Sequence, residues 1–195
     1  MWEKLKAWIS AWRNESPQRV TALQLPGPQL PGKEEKVNVA YEKLVQHFDE
    51  RDLRFEADPE QQLVTAGFWC DYCLTRITAV VEPDDRLFQV FAEIPIRVPE
   101  GARPSVGEAI TRANYGLRLG KFEFDVDRGL LRYQTSTMLT EDGTLDDETI
   151  ARQVGTSLAM VDRYLPAVMS VIYANDAPAD AIRRVDAEYE SSGDE

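Results

Sequence analysis

Residues 88–98, Phe88-Gln89-Val90-Phe91-Ala92-Glu93-Ile94-Pro95-Ile96-Arg97-Val98, decide the class of fold. Phe88, Val90, Ala92, Ile94, Ile96 and Val98 fall on one side, opposite Gln89, Glu93 and Arg97. This is the two-residue period of a strand that packs one face on a core. Pro95 cannot donate to a ladder, so it predicts that the strand is an edge there or ends early.

Upstream, a turn at Pro83-Asp84-Asp85 separates this strand from the β-rich stretch of residues 62–82, with Gly67 as a bend or bulge. That stretch reads as two short strands or one bent one, after a short extended piece at Leu53 to Ala57. Before it, Val37, Tyr41, Leu44, Val45 and Phe48 recur at helical spacing. Downstream, Ser105 and Glu108 have the spacing of a capping box, and Val106, Ala109, Ile110, Ala113 and Leu117 mark a second helix that should stop near Gly116 or Gly120. A hairpin follows: Phe122, Phe124 and Val126 alternate with charged residues, Asp127-Arg128-Gly129 turns, and Leu131, Tyr133, Thr135 and Thr137 return. Ile150, Val154, Leu158, Val161, Leu165, Val168 and Ile172 give a long amphipathic helix, which Pro166 should kink or divide.

The reading is an α+β protein, α-β-β-β-α-β-β-α, with an antiparallel sheet covered by helices on at least one face. It divides into an amphipathic Trp-rich helix (1–14), a Pro-rich linker (15–35), one α+β domain (36–176) and an acidic C-terminal tail (177–195), in which residues 178–189 have the pattern of a further short helix. At 195 residues, 43% hydrophobic and 29% charged, the chain has the composition of a folded domain rather than of a disordered one. It has no run of apolar residues long enough to span a membrane and no signal-peptide pattern, so the expected location is the cytoplasm. The net charge of −12 would repel a phosphate backbone, which disfavours nucleic acid. Residues 1–36 are net basic (+2) and the middle of the chain carries −10, so a basic or mixed-charge protein surface would be steered toward the folded part.

The one chemical motif is Cys70-Asp71-Tyr72-Cys73. A redox pair needs a helix N-terminus to lower a thiol pKa, whereas Leu74 to Val81 read as strand, where residues three apart face opposite sides. A zinc site needs two further ligands, and the chain offers only His47. Two ordinary reduced cysteines are expected, with a thiol protein using Cys70 and Cys73 as the alternative. His47, at the charged end of the first domain helix, reads as a surface histidine. Glu141, Asp142, Asp146, Asp147 and Glu148 lack the calcium-loop pattern and read as acids favouring a helix N-terminus. No phosphate-binding or nucleophile-elbow motif is present, so no catalytic residue, cofactor or metal is expected. Trp2, Leu5, Ile9 and Trp12 form one apolar helical stripe with Trp8 beside it. It suits docking on a partner protein, on its own domain or second copy, or on a membrane surface, and its thin basic face argues against the last.

Asn114-Tyr115-Gly116-Leu117-Arg118-Leu119-Gly120-Lys121-Phe122-Glu123-Phe124-Asp125, followed by Gly129-Leu130-Leu131-Arg132-Tyr133, resembles the YbjN family of bacterial proteins, as does the later helix Ala159 to Val168 with its Tyr164 and Pro166. The resemblance covers residues 37 to about 175. It implies the fold of type III secretion chaperones, small acidic proteins that are commonly dimeric and hold an extended client segment. The family is described as sensory-transduction regulators and carries no catalytic residues to transfer. By the same analogy, Ile110, Ala113, Asn114, Leu117, Phe122 and Phe124 are candidates for a homodimer interface. The expected function is a non-enzymatic module, chaperone-like or regulatory, that holds a segment of a partner protein.

Overall fold

The structure is a computed structural model and describes residues 38–82, 86–139 and 142–192. Expectations for residues 1–37, including Trp2, Leu5, Trp8, Ile9 and Trp12, and for the turn at residues 83–85 lie outside the described residues.

Helix α1 (Val39–Asp49) is followed by strands β1 (Phe55–Asp58), β2 (Leu63–Trp69), β3 (Leu74–Glu82) and β4 (Leu87–Arg97), then α2 (Arg103–Tyr115), β5 (Lys121–Asp125), β6 (Leu130–Met138), α3 (Asp147–Met169) and α4 (Pro178–Ser192). The strands make one antiparallel sheet in the order β1-β2-β3-β4-β6-β5. The α+β class and the antiparallel sheet are as read from the periodicity. The string gains one strand, because residues 62–82 hold two full strands, and one final helix.

Strand β4 is central, and its alternation is realised: Phe88, Val90, Ala92 and Ile94 are buried on the helix-covered side. Val64, Ile77, Val81 and Tyr133 share that side, and Leu44, Phe48, Val106, Ile150, Val161 and Val168 meet them from the helices. Burying one such side chain is worth about 1.5–3 kcal/mol, so this layer is the main source of stability. Pro95 falls beyond the last pair with β3, Arg76↔Glu93, and inside a register shift against β6 between Glu93 and Arg97. The strand continues to Arg97 because the irregularity absorbs the missing donor.

Gly67 is no bend: it pairs in register with Arg76, and the chain turns at residues 70–73. Asn38 caps α1, its Oδ1 accepting the Ala40 N–H at 3.0 Å. In α2 the capping box is absent. The helix begins at Arg103 after a 3-10 turn (Glu100–Ala102), so Ser105 already lies inside it, and Glu108 pairs with Arg112 instead at 2.8 Å.

Pro166 does not divide α3. The missing N–H frees one carbonyl, but Tyr164, Leu165, Ala167 and Val168 are buried around it and hold the helix together. The break comes later, as a π-helical turn (Ser170–Ala174) ended by Asn175 in the left-handed region (φ 56°). The acidic tail carries α4, which packs on α2 and α3 through Ala181, Ile182 and Val185. Two of its acids are paired, Asp186 with Arg163 and Asp180 with Arg183, both at 2.7 Å, while Arg184 holds Asp176, just ahead of the helix, at 2.7 Å. No helix among the described residues is long and apolar enough to cross a membrane.

Candidate functional site

The C-x-x-C motif is the turn of the β2–β3 hairpin, with the Cys70 N–H donating to the Cys73 carbonyl at 2.9 Å. Both cysteines are free and half-buried, and the Cys73 Sγ lies 3.3 Å from the Thr75 hydroxyl. Burial pushes the Cys70 thiol up to about 12, outweighing a hydrogen bond from Thr75. Thiol chemistry at neutral pH requires the opposite shift, so Cys70 has the protonation state of a structural thiol. Asp162 of α3 approaches the backbone amides of Asp71 and Tyr72, and burial raises its carboxyl pKa. The hairpin tip thereby lies against the long helix.

His47 is not a surface residue: it is 4% exposed. Its Nδ1 lies 2.7 Å from Asp147 Oδ1, and Lys43 Nζ lies 2.7 Å from Asp147 Oδ2, with Arg51 at 3.4 Å. A carboxylate only accepts, so Nδ1 carries the proton. Burial pushes the His47 pKa down and keeps the ring neutral, against the opposing hydrogen bond to Asp147. The hydrogen bond from Lys43 leads the causes that hold Asp147 down at about 2. The cluster therefore pins α1 to the start of α3. Of the neighbouring acids, Asp146 does serve the helix terminus, accepting the Thr149 N–H at 2.7 Å, and Glu141 lies outside the described residues. Among the described residues, no group of three or more His, Cys, Asp or Glu is placed to hold a metal ion.

The six residues considered for self-association have distinct fates. Ile110, Ala113 and Phe122 are 5%, 1% and 3% exposed, so they serve the protomer's own core. Leu117 and Phe124 are half-buried. Asn114 reaches from α2 to the sheet edge, where its Oδ1 accepts the Phe122 N–H at 2.7 Å and its Nδ2 donates to the Phe122 carbonyl at 3.0 Å. Its amide takes the place that the peptide of a seventh strand would occupy on β5.

The opposite edge, β1, has no such plug among the described residues. Beside it, α1 and β1 wall a groove of about 470 Å³. Tyr41, Val45, Phe55, Ala57 and Pro59 make it apolar, and Glu42 and Asp49 stand at its rim. The sequence showed Tyr41 and Val45 as part of a core face, but α1 is rotated so that His47 goes inward and Tyr41 and Val45 stay half-exposed. Only the position of His47 within the helical stripe hinted at this rotation.

A helix-backed antiparallel sheet, with one plugged edge and one grooved edge among the described residues, defines an α+β protein. The chain belongs to the YbjN family: the family model, described as "Putative bacterial sensory transduction regulator", matches residues 40–169, more than half of the chain. That description is of a regulator, not of an enzyme. Among solved structures, the crystal structure of YbjN from E. coli, titled a putative transcription regulator, is similar over 69% of this chain and 90% of that one, at 15% identity and a TM-score of 0.47. A comparison with curated proteins gave no match.

Proposed function

We propose that this protein is a non-catalytic regulator that holds an extended segment of a partner protein along the β1 edge, with the segment's side chains entering the α1–β1 groove. The observation that carries this reading is the difference between the edges among the described residues, since an edge strand left unpaired by them beside an apolar groove suits strand addition. Main-chain hydrogen bonds to β1 would supply affinity, and alternate side chains in the groove would supply selectivity. Glu42, Asp49, Glu56 and Asp58 surround the site with negative charge, so the fitting segment alternates apolar residues with Lys or Arg.

Panning a random dodecapeptide phage library against the full chain tests this. Selected peptides should alternate apolar and basic residues, lose binding when N-methylated at alternate positions, and bind Val45→Glu at least about tenfold more weakly, equivalent to about 1.4 kcal/mol. Failure to enrich any sequence over an unrelated protein, or equal binding to Val45→Glu, would remove the proposal.

A further inference from the structure

The sheet face turned away from the helices carries a row of alternating charge. Glu123 on β5 pairs in register with Arg132 on β6, Arg132 with Glu93 on β4, and Glu93 with Arg76 on β3. Arg132, Glu93 and Arg76 are exposed and Glu123 is half-buried. Arg132 holds Glu123 at 2.7 Å and stacks over Phe91 at 4.3 Å, whereas Arg76 and Glu93 make no ion pair among the described residues. Beside the row, Phe91, Val80, Leu63 and Leu87 are half-buried with no described element above them. Gln134 donates to Gln89 at 3.0 Å, and Gln89 donates to Glu82, so the amides on this face are spent within it. The face thus combines apolar area, satisfied amides and a charge row in which Glu93 and Arg76 are unpaired among the described residues.

We propose that this face is a homodimer interface, with the two-fold axis running along the strands between β6 and β4. The symmetry of the row supports a second copy as the occupant. Read across the sheet, the charges run minus, plus, minus, plus. Two sheets stacked about an axis parallel to the strands oppose the row to its own reverse. Glu123 then faces the partner's Arg76, and Arg132 faces the partner's Glu93. An axis along the row would instead set each charge against itself, so the pattern selects one arrangement.

The four overlapping strands, β5, β6, β4 and β3, span about 19 Å, by about 30 Å along β3, and present about 570 Å² in projection. That is close to the ~600 Å² per partner at the lower end of stable interfaces. Exposed ion pairs add little strength, so the apolar residues supply affinity and the row sets orientation. The β1 edge lies at the far side of the sheet and stays accessible, so this inference is independent of the segment-binding reading.

Sedimentation of the full chain at tens of micromolar tests it. Wild type should run at twice the 22.1 kDa chain mass. A variant with an all-acidic row, Arg76→Glu with Arg132→Glu, and one with an all-basic row, Glu93→Arg with Glu123→Arg, should each weaken self-association by at least about a hundredfold. Mixing the two should restore a one-to-one dimer. Circular dichroism verifies folding, and the single exposed change Glu93→Lys repeats the test should either double variant misfold. A monomeric wild type would overturn the proposal, including one whose row crosslinks to its own residues 1–37. So would variants that dimerise like wild type, or a mixture that stays monomeric.

Discussion

The two edges of the sheet solve the same problem in opposite ways. A terminal strand exposes main-chain donors and acceptors and invites another strand. On β5 the invitation is refused: Asn114 satisfies both backbone groups of Phe122, and α2, which carries it, is buried through Val106, Ala109, Ile110 and Ala113. On β1 a groove takes the place of a plug, and its wall α1 is tied down by the titratable cluster of Lys43, His47, Arg51 and Asp147. A closed edge built from a neutral amide and an open edge held by charges should differ in stability, in pH response and in what they bind.

The largest expected effect lies where the chain enters the closed edge. Gly120 has φ +67°, and a Cβ there would come within 2.5 Å of the Gln134 carbonyl oxygen and 2.6 Å of the Tyr133 hydroxyl. Tyr133 in turn donates to the Leu119 carbonyl, fixing the approach to β5. Gly120→Ala should destabilise the protein by about 3 kcal/mol or more in urea unfolding, from left-handed strain plus backbone collision. A loss below about 1 kcal/mol would mean that β5 reaches its place without this tight approach.

Next is the plug itself. Asn114→Leu removes both hydrogen bonds and should cost about 1–3 kcal/mol, the penalty of leaving half-buried main-chain groups without partners. It should also turn β5 into a second open edge, seen as light scattering that grows with concentration. Asn114→Asp keeps the acceptor but sets a carboxylate oxygen against the Phe122 carbonyl, and should cost at least as much at neutral pH. An Asn114→Leu protein that is as stable and as soluble as wild type would erase the distinction between the edges.

The strands and helices behind this contrast were largely legible in the sequence, the contrast itself was not, and the illegible part has physical causes. The alternation from Phe88 to Ile94 reports burial of one sheet face directly, because a two-residue period has few other origins. The hairpin at Cys70-Asp71-Tyr72-Cys73 was hidden because it lacks the Gly, Asn or Pro that usually marks a turn, while Gly67 offered a false one inside a regular ladder. His47 looked exposed because its partner Asp147 lies 100 residues away, and no local pattern announces such a pair. The charge row is invisible for the same reason: Glu123, Arg132, Glu93 and Arg76 become neighbours only once the register of four strands is known. In α4 a helix pattern was visible, but the excess of acid hid that Ala181, Ile182 and Val185 pack on the domain, while Asp180 and Asp186 are paired at short range.

Acidification should separate the edges more gently. The folded-state pKa of His47 lies below its ordinary value, so the unfolded chain takes up the proton first. Its contribution is present above about pH 6.5 and is lost as pH falls below that, at up to about 1.4 kcal/mol per pH unit until the folded-state pKa is reached. Asp147, held at about 2, contributes above the ordinary carboxylate range and loses that contribution as pH falls from about 4 toward 2. Unfolding followed from pH 7.5 to 5 should therefore show a decline that His47→Gln flattens. Hydrogen exchange, expressed as protection free energy, should fall for the amides of α1 and hold for those of β5. Equal losses on both sides would show that the cluster does not govern the open edge.

The smallest effect on stability should accompany a decisive effect on binding. Val45 is half-exposed in the groove, so Val45→Glu should cost less than about 0.5 kcal/mol, since a carboxylate there keeps its water in the free protein. A segment lying in the groove would strip that water and set the new charge beside Glu42 and Asp49, which is why binding should fail while folding does not. Asn114→Asp on the other edge should behave in reverse, lowering the urea midpoint yet binding selected peptides like wild type. Calorimetric titration of one peptide into both variants, beside their unfolding curves, reads all four quantities. If Asn114→Asp weakens the peptide as much as Val45→Glu does, the two edges communicate through the sheet. The open edge would then be a property of the whole sheet rather than of its groove.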